Sequence, residues 1–233
     1  MALSIVNNFQ HSPVTGASTT VKFGTAPSWT PTAGNTIVFG VSRKDATVST
    51  VADTLRNVYN SKGTVAVVVS GGDSIALDVY ECYHCLGGSP NIITVTFNTT
   101  ATFPGGYLYE VSGTKSGDPT DIFATGISAL ANPISTSSFT TKNPNELVLA
   151  FMIGSVAGDV FTAGTGYTLD KSNFGSSGGV FWGAEHALFS SIQTGITAST
   201  NINNVGDFAG IAAIGIQAPL PFPNSLMMMG CGT

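Results

Sequence analysis

Val, Ile, Thr and Phe alternate with polar residues along most of this chain, and Gly, Pro, Asn or Ser breaks the alternation every few residues. Side chains on a strand point to opposite faces in turn, so a period of two with frequent turn residues builds sheets and leaves little room for helices. Segments of this kind lie at 36–42, 64–70, 74–85, 91–98, 106–113, 146–155, 179–189 and 208–217. The one helix candidate, "TVADTLRNVY" (50–59), is short and β-branched and reads as a loop or strand with at most one turn.

The two halves of the chain echo each other. "GNTIVFGVS" (34–42) resembles "PNELVLAFM" (144–152), and "DTLRN" (53–57) resembles "YTLDK" (167–171). "VYECYHCL" (79–86) matches "GAEHALFS" (183–190), which sets Glu81 over Glu185. "NIITVTFN" (91–98) resembles "TGITASTN" (194–201), and "YLYEVSG" (107–113) resembles "GIAAIGI" (210–216). This predicts an all-β, jelly-roll-like two-sheet sandwich over 30–217, made of pseudo-repeats at about 34–113 and 144–217. Each repeat would be a four-stranded half, too small to be stable alone. Residues 1–29 read as an N-terminal arm or first strand, and 218–233 as a C-terminal extension. Stretch 112–144 crosses between the halves and carries an extra strand near 122–128. An immunoglobulin-like pair is the alternative, without the Cys…Trp…Cys spacing to support it.

Composition narrows the function. Charged residues are 9% of the 233, against about 25% in ordinary soluble domains. Hydroxyls and amides must therefore wet the surface, as is common in extracellular and virion β-proteins. The 8 Lys and Arg are scattered singly in a chain of net charge −5, so no basic stripe is available for nucleic acid. No apolar run approaches the roughly 18 residues of a membrane helix, and the opening "MALSIVNNFQHSP" has no basic region of a secretory signal.

The series "GNTIVFGVS … VADTLRNVY … IALDVYECYHCLGGSPNIITVTFN … YLYEVSGTKSGDPTD … NELVLAFMIGS … FAGIAAIGIQ" resembles a widespread group of Gly/Ser/Thr-rich β-sandwich domains. The group occurs in secreted or surface-attached microbial proteins and in phage structural proteins. The similarity spans roughly 30–217 and is most distinctive at "DTLRNVY", "GGSPNIITVTF" and "YEVSG…DPTD". It implies a sandwich used for structure or adhesion and carries no catalytic signature.

Reactive side chains crowd together once, in "YECYHC" (80–85). Cys82, His84 and Cys85, with Cys231, His11 and His186 elsewhere, barely reach the four ligands of a structural zinc site, and the second Cys pair is missing. Strand parity sets Cys82 and Cys85 on opposite faces, and no helix follows to activate a thiolate. Core packing of small sulfur side chains is the reading adopted, with a metal site and a disulfide as alternatives. Glu81, Glu185, Glu110 and Asp78 are the carboxylates a polysaccharide hydrolase would need to bring together, and solvent-face or ion-paired carboxylates are the reading adopted. "GDPTD" (117–121) offers two carboxylates to a loop-bound ion or is a plain turn. "GSSGG" (175–179) is a hairpin loop, and "GTKSG" (113–117) lacks the setting of a phosphate loop. Tyr80, Tyr83, Tyr107, Tyr109, Trp29 and Trp182 are candidates for a sugar-stacking platform or for the core.

The sequence thus leads to a non-enzymatic structural or adhesion protein that needs no catalytic, metal or cofactor-binding residue. It would assemble with copies of itself or with other structural proteins into a phage virion or an extracellular appendage, using its termini as docking arms. A carbohydrate-binding module is the alternative, with a possible glycan partner, and a polysaccharide hydrolase is the remote one.

Overall fold

The computed structural model describes residues 2–11, 16–26, 28–68, 74–129, 132–155, 160–175, 180–203 and 208–220. Among these residues there is no helix, and sixteen strands follow one another. The first half holds β1 (Ser4–Gln10), β2 (Ala17–Phe23), β3 (Thr36–Lys44), β4 (Val48–Asp53), β5 (Asn60–Val68), β6 (Ser74–Cys82), β7 (Ile93–Thr102) and β8 (Gly105–Ser112). The second holds β9 (Thr120–Ala129), β10 (Ile134–Ser135), β11 (Glu146–Gly154), β12 (Phe161–Thr162), β13 (Thr168–Gly175), β14 (Phe181–Phe189), β15 (Ser199–Ile202) and β16 (Phe208–Gln217).

Two sheets form in each half. In the first, β1-β8-β3-β6-β5 make a five-stranded sheet and β2-β7-β4 a three-stranded one. In the second the orders are β9-β16-β11-β14-β13 and β10-β15-β12. Adding eight to each label of the first half reproduces the second, and every pairing is antiparallel.

Side-chain alternation stacks these sheets in four layers. On β11, Leu147, Leu149, Phe151 and Ile153 turn to a central core shared with Val38, Val65, Leu77, Tyr109 and Val111 of the first half. Val148, Ala150 and Met152 turn the other way, onto Ile134, Phe161 and Ile202 of the three-stranded sheet. β3 does the same with Val38 inward and Ile37, Phe39 and Val41 outward, against Phe23, Val95 and Phe97. β11 is covered on both faces, which is why all nine of its residues are buried and why the eight after Glu146 are apolar. The five-stranded sheets approach closely enough that a Cβ on Gly40 would stand 2.7 Å from the Phe151 ring, so glycine is needed there for space.

The β-sandwich expectation holds, but its unit is larger than expected. Each half has eight strands in two sheets where four were counted, because the weakly patterned edge strands carry little apolar signal of their own. Residues 1–29, expected as an arm or first strand, hold β1 and β2, bonded to β8 and β7. The stretch 50–59 gives β4 and a tight turn, while 122–128 lies within β9. Of the extension 218–233, only 218–220 falls among the described residues.

The echo between halves is right in element and partly wrong in register. Four of the five matched blocks fall on strands that correspond in the topology; "DTLRN" and "YTLDK" do not, lying on the β4 exit and on β13. The matches in β3/β11 and β6/β14 are a residue out of phase: Phe39 faces outward where Leu149 faces inward. A slip of one residue moves a whole strand's side chains to the other face.

Candidate functional site

The stretch "YECYHC" and the motif "DTLRNVY", far apart in sequence, come together in one open groove of about 350 Å³. Arg56, Asn57, Val58 and Asn60 form one wall after β4; Cys82, Tyr83, His84 and Leu86 form the other where β6 ends. Asp53 braces the first wall. Its carboxylate accepts from Leu55 N (3.1 Å), Asn57 N (2.9 Å), Asn57 Nδ2, Tyr59 Oη and Asn91 Nδ2 (2.7 Å each). Burial alone would raise the Asp53 pKa, but the Tyr59, Asn57 and Asn91 donors hold it below the usual range. Asn57 then ties the walls, its Oδ1 accepting from Leu86 N at 2.6 Å.

Two residues of this groove hold a left-handed backbone without being glycine: Arg56 at φ 65° and His84 at φ 53°. Such conformations cost about 1–2 kcal/mol each and gather where function constrains the chain. The Arg56 guanidinium meets no acid or acceptor among the described residues, whereas Arg43, Lys62 and Lys142 sit in ion pairs with Asp78, Glu81 and Asp121. His84 accepts from Gly117 N through Nε2 at 3.1 Å, so in its neutral form Nδ1 carries the proton. Val58 and Leu86 are 73% and 55% exposed beside it.

Bond geometry at β6 corrects the parity argument about the cysteines. The strand ends at Cys82, and the bend at Tyr83–His84 swings Cys85 back, so both thiols lie in the same core cluster. Burial pushes each up to about 12, which keeps them as thiols at neutral pH. Both are free, Cys85 Sγ donating to Thr32 O at 3.3 Å. Cys231 lies outside the described residues. The histidines are dispersed: His11 Nδ1 accepts from Gly106 N at 3.1 Å, His84 stands in the groove, and His186 Nδ1 pairs with Asp170 at 2.6 Å.

The carboxylates do not converge either. Glu110 faces the outer sheet of the first half, accepting from Trp29 Nε1 and Asn7 Nδ2 (2.9 Å each), Thr32 N (2.8 Å) and Asn35 Nδ2 (2.7 Å). Glu81 lies toward the central core, with Lys62 Nζ at 2.6 Å and Thr120 Oγ1 at 2.9 Å. Glu185 faces the outer sheet of the second half and accepts from Gly164 N at 2.9 Å. Glu81 and Glu185 are therefore not equivalent, as their opposite faces show. Asp78 pairs with Arg43 at 2.6 Å. In "GDPTD", Asp118 bonds Lys62 and Asp121 bonds Lys142, so the two carboxylates serve separate ion pairs. Lys115 of "GTKSG" donates to Gln217 Oε1 at 2.7 Å, and "GSSGG" beyond Gly175 is outside the described residues.

Trp29, Tyr107, Tyr109 and Trp182 are buried in the cores, and Tyr80 stacks on Phe39 at 5.4 Å. Of the six aromatic candidates, Tyr83 is the one placed in the groove. A second opening, about 300 Å³, lies beside His186 with Leu3, Ser4, Ile5, Leu147 and Leu188. There Asp170, the extra residue of a bulge in β13, accepts from both Tyr109 Oη and His186 Nδ1 at 2.6 Å. The Ser4 hydroxyl donates to Ile5 O at 3.4 Å, so it is not held against the imidazole. Arg56, Asn60, Val58 and Leu86 were not singled out as site residues from the sequence; the Asp-led motif was the available signal, but its facing wall begins at Cys82, 23 positions beyond Tyr59.

These features define an all-β sandwich protein with one braced polar groove. Compared with protein-family models, curated proteins and solved structures, the chain matches none.

Proposed function

We propose that this chain is a non-enzymatic structural or adhesion protein that assembles into, or decorates, a virion or an extracellular appendage by burying surface between copies of itself or against other structural proteins. The observation that carries the reading is the doubled architecture: two halves of the same strand order joined through a continuous apolar core, with ionised groups used as internal ties. Within each half, β1-β8-β3-β6 faces β2-β7-β4, an order that supports a jelly-roll-like arrangement with β5 added to the larger sheet. Such slabs are stiff, and neutral polar faces pack on neighbours without a desolvation penalty from charge.

The N-terminal segment is not available as an arm, because removing 1–20 would take away β1 and most of β2. Sedimentation of the full chain and of a chain ending at Leu220, with electron microscopy of the particles formed, tests the reading. Self-association of the full chain, or its addition to purified virions or filaments, is the expected result. A strict monomer that joins no particle overturns it.

A further inference from the structure

Four hydrogen-bonding side chains stand in the groove between the β4 exit and the β6 bend with capacity to spare. These are the Arg56 guanidinium, the Asn60 amide, the Tyr83 phenol and His84 Nδ1. Val58 and Leu86 interleave exposed apolar surface among them. The backbone along the groove is otherwise occupied: Arg56 N donates to Asp53 O, Asn57 N to Asp53 Oδ1 and Leu86 N to Asn57 Oδ1. An extended peptide binds through a ladder of main-chain bonds, and these three donors are already taken. A sugar chain is recognised differently, by side-chain hydrogen bonds to hydroxyls and by apolar or aromatic contact with its C–H faces. The free guanidinium adds a planar, doubly donating partner for a carboxylate.

We propose that this groove binds a carboxylate-bearing saccharide, a uronate, with Arg56 on the carboxylate and the Tyr83 ring against a pyranose face. The left-handed Arg56 backbone supports the assignment, since glycine would hold that turn with less strain but would leave the carboxylate unrecognised. The Asp53 brace fixes the turn beforehand, so little ordering is needed on binding. The site is independent of whether the chain assembles.

Calorimetric titration of the full chain with oligogalacturonate, alginate oligomers and hyaluronan oligomers tests it, with a neutral galactan and polyglutamate as comparisons. At least one uronate binds, and the galactan and polyglutamate bind at least tenfold more weakly. Arg56→Gly loses tenfold or more in affinity while its melting temperature stays level or rises, which separates recognition from folding. Arg56→Lys loses several-fold, because an ammonium cannot pair a carboxylate through two parallel bonds, and Tyr83→Ala loses about tenfold. Silence from all three uronates, equal binding of the galactan, tighter binding of polyglutamate, or unchanged affinity in Arg56→Gly overturns the proposal.

Discussion

Glu146 shows how one buried carboxyl sets a pH response. It is fully buried at the start of β11, beside Asp121. Burial and the Asp121 carboxylate push it up to about 8, while Asp121, paired with Lys142, is held below its usual range. In the unfolded chain a glutamate ionises near its ordinary value of 4.5. Between that pH and about 8 the folded state binds the additional proton, so stability contributed by this group is present in acid and lost as pH rises. Glu146→Gln removes the titration. It should flatten the fall in stability from pH 5 to 8 and raise stability at pH 8 by roughly 1–3 kcal/mol, measured by urea denaturation across that range. Glu110 behaves oppositely: burial would raise its pKa, but the donors Thr32 N, Asn7, Trp29 and Asn35 lower it. Its contribution is present above the unfolded pKa and disappears as pH falls through the folded one. Glu110→Gln, which turns an amide N–H toward four donors, should cost about 2–4 kcal/mol at neutral pH and remove part of the acid lability, both readable in the same titration. These acids were visible as candidates in the sequence, whereas their environments were not, since each is set by partners 25 to 103 positions away for Glu146–Asp121 and Glu110–Asn7.

At the scale of elements, the β5–β6 pair is fastened to the start of β9 by charge. Lys62 Nζ lies 2.6 Å from Glu81 and 3.0 Å from Asp118, and Thr120 completes the Glu81 contact. Lys62→Met leaves a fully buried carboxyl with one hydroxyl for company and should cost about 3 kcal/mol. Lys62→Met with Glu81→Leu should recover most of it, as a double-mutant cycle by chemical denaturation would show. The central strands were legible from sequence because their branched apolar runs are long; β16 was located to the residue at 208–217. β2 and β13 were missed, and β1 was left open as an arm or first strand, because edge strands exposed to water are polar, so "SIVNNFQ" and "TLDKSNFG" resemble loops.

For the whole molecule, the decisive surface is the central core between the two five-stranded sheets. Leu149, Phe151 and Ile214 from one side meet Val38, Leu77 and Tyr109 from the other, and Tyr109 Oη also reaches Asp170 across the junction. Either half alone would expose that face. Residues 1–114 expressed alone should aggregate or bind a hydrophobic dye strongly, and mixing with 115–233 should suppress this, followed by light scattering and fluorescence. A soluble, dye-silent first half would show that the junction is a contact between independently stable units. The sequence by itself determined the all-β class, the positions of the central strands and the doubling of the chain, because alternation and turn residues are local properties. Only the tertiary structure decided that each half has two sheets, that Glu81 and Glu185 face different layers, and that Arg56 and Tyr83 share a groove. Those outcomes depend on strand partners and on one-residue choices of register, and a sequence pattern with a period of two constrains neither.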